Sequence, residues 1–241
     1  MPIQRAAVGG VVTVGGMKPT PPRPLLPILP YRKPTPGRDY WVVDDVLPDP
    51  DGVRARFLAK TDWSQGYPYK PESWPGQRAM PGLSDDELAI VETRVRDALG
   101  ATRLWVGAAP DGQTLNHNCV QVVGIDECEP RPHTDSRTMC RYAAVLYLNP
   151  SVPDHCGTGF YRQRLGNGQR GGNTVSPPHA NLVEALGTRF VAPDAFVEDV
   201  VVPHRYNRLL LYRANLIHSA SGYWGRTLDT MRMAAVFFWM V

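Results

Sequence analysis

The sequence predicts a mainly β, α+β protein: a layer of two helices packed on one face of a mostly antiparallel double sheet. Three observations predict it. From Arg103 onward, short runs rich in β-branched and aromatic residues alternate with glycine and proline, as in a sandwich or barrel. Ahead of them lie two segments with helix-start signals and apolar residues at helical spacing. The 241 residues are 43% hydrophobic and 20% charged, an ordinary globular composition that excludes full disorder. No apolar run approaches the roughly 20 residues that cross a bilayer, so no membrane role is expected.

Residues 1–39 read as a basic, proline-rich arm. Residues 1–16 are small and Gly-rich, and residues 17–38 hold eight prolines, which favour extended backbone. Leu25, Leu26, Ile28 and Leu29 are too apolar for a solvated linker, so the arm is expected to dock on the body and offers a route to a homodimer. Residues 1–40 carry six basic side chains against Asp39 alone, a charge of +5. The rest, with 20 basic and 22 acidic residues, carries −2 of the chain's +3. The body has no basic excess for a nucleic acid, and none is expected as partner.

Residues 40–241 read as one domain, with 40–102 a helical support region. Tyr40–Val43 has strand composition. Asp49-Pro50 opens a helix with Val53, Phe57 and Leu58 on one face. A Trp/Tyr/Pro/Gly-rich loop follows from Trp63 to Pro81. Ser84 and Glu87 form a capping box; Leu88, Val91, Val95 and Leu99 repeat behind it until Gly100. The expected strands are 103–107, 116–123, 139–148, 158–163, 188–191, 197–202, 207–213 and 231–239. Gly157–Gly172, with six glycines and three arginines, is either a loop over a site or a solvated connection. Four cysteines without a CxxC pair, and an N-terminus without a secretory pattern, point to reduced thiols in the cytoplasm.

The chemistry concentrates in His133-Thr-Asp135. In an extended segment, residues i and i+2 point the same way, so His133 and Asp135 converge on one ion. HxD alone also suits a surface turn. Here a distal His218 follows a second apolar run, and two imidazoles with one carboxylate form the facial triad of non-heme Fe(II) sites. Arg232 then opens the apolar run Met-Ala-Ala-Val-Phe-Phe-Trp239. An inward arginine there is costly unless paired. It either pairs with Asp229, stands in water at a strand end, or grips a dicarboxylate in bidentate fashion; beside the triad, the last reading is preferred.

These pieces carry a family resemblance: HTD at 133–135, Arg141-Tyr-Ala-Ala-Val-Leu-Tyr-Leu-Asn149, Gly157-Thr-Gly159 with Phe160, His218, and Arg232 with its aromatic-rich strand. Over roughly residues 115–241 the chain resembles the Fe(II)/2-oxoglutarate-dependent oxygenases, and is similar to their prolyl-hydroxylase-like branch. The resemblance implies a double-stranded β-helix, or jelly roll, for residues 103–241. It implies His133, Asp135 and His218 as iron ligands, Arg232 as the anchor of the distal carboxylate of 2-oxoglutarate, and Tyr147 as a hydrogen-bond partner of that cosubstrate. It implies Fe(II), 2-oxoglutarate and O2, release of succinate and CO2, and hydroxylation of an unactivated C–H in a small molecule, amino acid or peptidyl residue; desaturation or cyclisation needs only another substrate pose. Asp135 matches the hydroxylases, since related halogenases carry a small residue there. The spacing from His218 to Arg232 is longer than usual, and Arg226 stands as the substitute anchor. Ala143 or Ala144 replaces the usual threonine, and residues 150–200 form a longer insert.

Lesser candidates each have a plain alternative. Asn116, Asn118 and Gln121 alternate on a strand, as substrate contacts or as a solvated face. Arg141 suits an anionic substrate group or a salt bridge. Tyr223 and Trp224 wall the pocket or merely pack. Arg162 and Arg164 are surface charge. Asp154, His155 and Cys156 make a poor zinc signature, and His117, His179 and His204 are structural or exposed. Two other functions stay in view: a non-catalytic jelly roll that binds a ligand, and a cupin-like metal dioxygenase or isomerase without 2-oxoglutarate. Arg232 separates the oxygenase from the latter.

Overall fold

Two capped helices open the domain, and their caps are the ones the sequence announces. In the computed structural model, which describes residues 26–65, 75–108, 112, 114, 117–189 and 191–241, α1 spans Pro50–Leu58. Asp49 Oδ1 accepts the Gly52 N–H at 2.9 Å. Helix α2 spans Asp85–Leu99. Ser84 and Glu87 exchange side chain-to-backbone hydrogen bonds, and Gly100 takes the left-handed conformation that ends the helix. No helix among the described residues is long and apolar enough to cross a membrane.

The strands are β1 (Tyr40–Val43), β2 (Ser64–Gln65), β3 (Gln77–Ala79), β4 (Cys119–Val123), β5 (Tyr142–Tyr147), β6 (Gly157–Gln163), β7 (Phe196–Pro203), β8 (Leu209–Arg213), β9 (His218–Ala220) and β10 (Arg232–Trp239). Seven form one sheet in the order β1-β8-β5-β10-β4-β3-β2, and three form a second in the order β7-β6-β9. Every strand pair is antiparallel. The architecture is a double-stranded β-helix with helices on the outer face of the larger sheet.

Side-chain parity divides the core in two, because alternate residues of a strand face opposite ways. Leu146, Leu211, Met233, Ala235 and Phe237 pack against Val53, Phe57, Val91 and Val95 of the helices. Ala143, Val145, Tyr147, Leu210, Tyr212 and Ala234 face Phe160 and Val202 of the smaller sheet. Arg232 shares the parity of Ala234, so its strand turns it inward between the sheets.

Some elements differ from expectation. Residues 103–107 contribute only the bridge Trp105–Met240. Among the described residues, 188–191 form no strand; a short helix α3 (Leu182–Leu186) precedes them, capped by Asn181. The run ending at Ile217 is interrupted: β8 stops at Arg213, Leu216 N–H turns back to the Arg213 carbonyl, and β9 begins in the other sheet. His218 therefore opens a strand and does not close one. Asn116 and residues 66–74 of the expected loop lie outside the described residues.

The arm lies outside the described residues up to position 25. From Leu26 it runs against the chain's own body. Gln163 accepts the Leu29 N–H and donates to the Pro27 carbonyl, both at 2.8 Å. Asn173 brackets Arg32 in the same way, at 2.9 and 2.8 Å. Proline lacks a donor, so side-chain amides read the carbonyls between the prolines. A β-carbon at Gly172 would collide with the Leu29 carbonyl, which explains a glycine there. Arg162 is not plain surface charge: its guanidinium sits 3.6 Å over the Tyr31 ring.

Candidate functional site

Pro130-Arg131-Pro132 delivers His133 in extended form beside β9. His133 N–H donates to the His218 carbonyl at 3.0 Å, and His218 N–H returns the bond at 2.8 Å. This single antiparallel bridge sets the two rings 4.5 Å apart, centroid to centroid. Asp135 projects to the same side, while Thr134 points away and accepts the Leu182 N–H that starts α3. Asp135, His133 and His218 offer ligand atoms that all lie within 4.8 Å of one another.

Each ring presents one defined nitrogen. His133 Nδ1 lies 2.9 Å from the Arg131 carbonyl, and His218 Nδ1 lies 2.8 Å from the Leu216 carbonyl. A carbonyl only accepts, so each Nδ1 carries its proton and each Nε2 keeps a lone pair. His133 Nε2 is 3.9 Å from Asp135 Oδ1, and His218 Nε2 is 3.6 Å from Oδ2. Those gaps exceed a hydrogen bond yet suit a cation held at about 2.1 Å by each ligand. Asp135 Oδ2 is buried without a hydrogen-bond partner. Burial pushes both imidazoles down to about 4 and the Asp135 carboxyl up to about 6. The three groups are neutral bases and a carboxylate in need of a positive charge, which is the donor set of a divalent transition metal.

Further in, Arg232 is only 5% exposed, and its Nε has no hydrogen-bond partner. No carboxylate pairs with it among the described residues. Asp229 accepts from the Thr227 hydroxyl instead. Tyr147 is fully buried, its hydroxyl 2.8 Å from Thr158 Oγ1. Asn149 ties the start of β10 to His204, its Nδ2 donating to the Met231 carbonyl at 2.8 Å and its carbonyl accepting from His204 Nε2 at 2.9 Å, and Tyr147 pairs with Ala234 two residues from Arg232. The His204 ring lies 4.6 Å from Tyr147 and 5.8 Å from Trp224. Trp224 is buried, and its Nε1 has no partner.

The remaining candidates fall elsewhere. Arg226 is exposed and pairs with Asp126 at 2.7 Å, on the surface and away from the interior, so it does not replace Arg232. Arg141 is exposed just ahead of β5, held through its backbone N–H to the Trp239 carbonyl, on the same strand parity as Ala143 and Val145. Asn118 is taken up by structure: at φ 52°, its side chain accepts from Leu83 N–H and donates to the Leu83 carbonyl. Gln121 does face inward, opposite Ala234, and donates to the Pro75 carbonyl. His117 is structural, its Nδ1 accepting the Phe238 N–H.

Three residues of this interior carry no functional assignment from the sequence. Buried Arg78 stands on the inward face of β3, opposite Gln121. Its strand is three residues long inside a Gly/Pro-rich loop, too short for any periodicity. Asn149 and His204 are brought beside Arg232 only by strand pairing.

The comparisons bear on this architecture. The family model described as "Family of unknown function (DUF6445)" matches residues 31–230. No curated protein matches the chain. Among solved structures, the non-heme alpha ketoglutarate dependent carbocyclase SnoK from nogalamycin biosynthesis is 16% identical with a TM-score of 0.51, covering 84% of this chain and 79% of that one. The alpha ketoglutarate dependent epimerase SnoN of the same biosynthesis is also 16% identical, with a TM-score of 0.50 and coverage of 84% and 77%. A prolyl-4-hydroxylase of Pseudomonas putida is 18% identical over 83% of this chain and 92% of its own, at a TM-score of 0.44. At such identities the likeness of the first two shows a shared jelly-roll fold.

Proposed function

The chain belongs to the DUF6445 family, and from its fold and site we propose that it is an Fe(II)- and 2-oxoglutarate-dependent oxygenase. The observation that carries the reading is the buried Arg232, facing the same interior as the His133, Asp135, His218 cluster and without a carboxylate partner among the described residues. A protein that held only a metal would gain nothing from an inward guanidinium, whereas a dicarboxylate satisfies it by charge-assisted, bidentate hydrogen bonds.

In this reading His133, Asp135 and His218 hold the iron. Arg232 binds the distal carboxylate of 2-oxoglutarate, with the Tyr147–Thr158 hydroxyl pair beside it. Iron with 2-oxoglutarate and O2 supplies the oxidising chemistry, with succinate and CO2 as products. The chain's own contribution is position: one backbone carbonyl fixes the tautomer of each imidazole, and the apolar interior around Phe160, Val145 and Ala234 excludes water. Hydroxylation of an unactivated C–H is the reaction we assign, on a small molecule, amino acid or peptidyl residue, with Gln121 as the inward candidate for substrate contact. Carbocyclase and epimerase activities of SnoK and SnoN show what related folds do with the same cosubstrate. We place the enzyme in the cytoplasm, where four cysteines outside any disulfide stay reduced. Residues 26–36 are occupied by their own body, and the reading includes no homodimer through them.

The test is spectroscopic. Anaerobic protein loaded with Fe(II) is expected to develop the visible charge-transfer band of a chelated 2-oxo acid on addition of 2-oxoglutarate. A correctly metallated protein without that band would overturn the reading.

A further inference from the structure

We infer that Trp224 is a second donor to the anionic group that Arg232 binds, and that Asn149 is the positioning residue that aligns the two; the inference rests on the 2-oxoglutarate reading above. Trp224 Nε1 and Arg232 Nε are both buried and both lack a hydrogen-bond partner. Each is a donor with no accepting capacity, so neither satisfies the other. Left alone, both carry a desolvation cost that native interiors avoid. One acceptor with several lone pairs meets both needs, and a carboxylate is that acceptor.

The two donors share a wall. His204 stands edge-on to Trp224 at 84° and lies against Tyr147, and Tyr147 pairs with Ala234, two residues from Arg232 on the same face of β10. His204 does not compete as a donor. Its Nε2–H is given to the Asn149 carbonyl at 2.9 Å, which leaves a lone pair on Nδ1.

Asn149 controls both donors from one place. Its Nδ2 donates to the Met231 carbonyl at 2.8 Å, and its Oδ1 accepts the Met233 N–H at 2.7 Å. The amide thereby clamps the backbone on either side of Arg232. Its own carbonyl orients the His204 ring on which Trp224 rests. Asn149 touches no ligand in this account; it fixes the direction of the guanidinium and, through His204, of the indole.

Two probes separate this role from packing: 2-oxoglutarate, and pyruvate, a 2-oxo acid without a distal carboxylate. Each is titrated anaerobically into the Fe(II)-loaded protein, and the visible band is followed. Trp224→Phe keeps an aromatic ring against His204 and removes the N–H together with the five-membered ring; any effect of the lost packing is sensed equally by both acids. It is expected to weaken 2-oxoglutarate about tenfold, the size of one charge-assisted hydrogen bond, and to leave pyruvate unchanged. Asn149→Ala is expected to do the same, and Asn149→Asp, which keeps the acceptor for Met233 N–H, to lose less. Equal weakening for both acids, or unchanged 2-oxoglutarate affinity in Trp224→Phe, overturns the inference while the oxygenase reading stands. A wild type without a band for either acid ends both. Should the variant fold poorly, the wild type decides: in Zn(II)-loaded protein the Trp224 indole N–H resonance is expected to shift with 2-oxoglutarate and not with pyruvate, and an unmoved resonance counts against the donor role.

Discussion

At the scale of single residues, the site shows how little chain is needed to specify a ligand set. One backbone bridge between His133 and His218 fixes two rings, and two carbonyls choose the nitrogen that each presents. The anchor assignment gives a contrast. Arg232→Met is expected to retain iron and lose 2-oxoglutarate affinity by one to two orders of magnitude, the scale of a truncated buried charge contact. Arg226→Met, which removes only an exposed pair with Asp126, is expected to leave it unchanged; calorimetric titration of both proteins checks this. His133, Asp135 and Arg232 were legible because two of them share a strand face and the third opens an apolar run. Asn118 was misread because its φ of 52° and its bonds to Leu83 depend on chain 35 positions away. Arg226 and Arg232 were not separable by spacing alone, since spacing says nothing of which way the turn at 219–231 directs each side chain.

Elements differ in how much of their cause is local. Helices α1 and α2 carry their own caps and apolar stripes, and the sequence announces both. Helix α3 has five residues, fewer than any periodicity needs, and exists where Thr134 and Asn181 receive its first N–H groups. Strand β9 has three residues and is defined by its neighbours, which is why His218 was placed at the end of a strand and not at the start of one. The docked arm is likewise an element made by its partners. Gln163 is buried and makes two hydrogen bonds to it. Gln163→Ala leaves the Leu29 N–H and Pro27 carbonyl without those partners, a loss of about 2 kcal/mol. For a chain of this length that lowers the melting temperature by roughly 4–8 °C. Thermal unfolding with limited proteolysis checks it, and cleavage is expected first between residues 26 and 36.

For the whole molecule, two faces of one sheet divide the labour: one face is filled by helices, the other holds the site. That division was legible, because parity along each strand is written in the sequence; the order in which strands pair was not, because it is set by contacts between distant segments. The helix-side core also carries the acid sensitivity of the fold. Burial pushes His117 down to about 4, against an ordinary value near 6.5. Its folded value lies below its unfolded one, so the unfolded chain takes the proton first as pH falls. Its stabilisation is full above about pH 6.5, is lost progressively toward pH 4, and amounts to about 3 kcal/mol. His117→Asn keeps an acceptor for the Phe238 N–H and removes the titration, so its urea midpoint is expected to fall less than wild type between pH 7.5 and 4.5. The bracket at Asn173 has a kinetic meaning. That residue holds Arg32, 141 positions upstream, with its side chain, and the Ile217 N–H, next to His218, with its carbonyl. Such separations give a high contact order, and closing loops of that size precedes any reward from the contacts made. His133, Asp135 and His218 are therefore expected to come together late in folding, after the helices, once the chain's early residues have returned to lie beside β6.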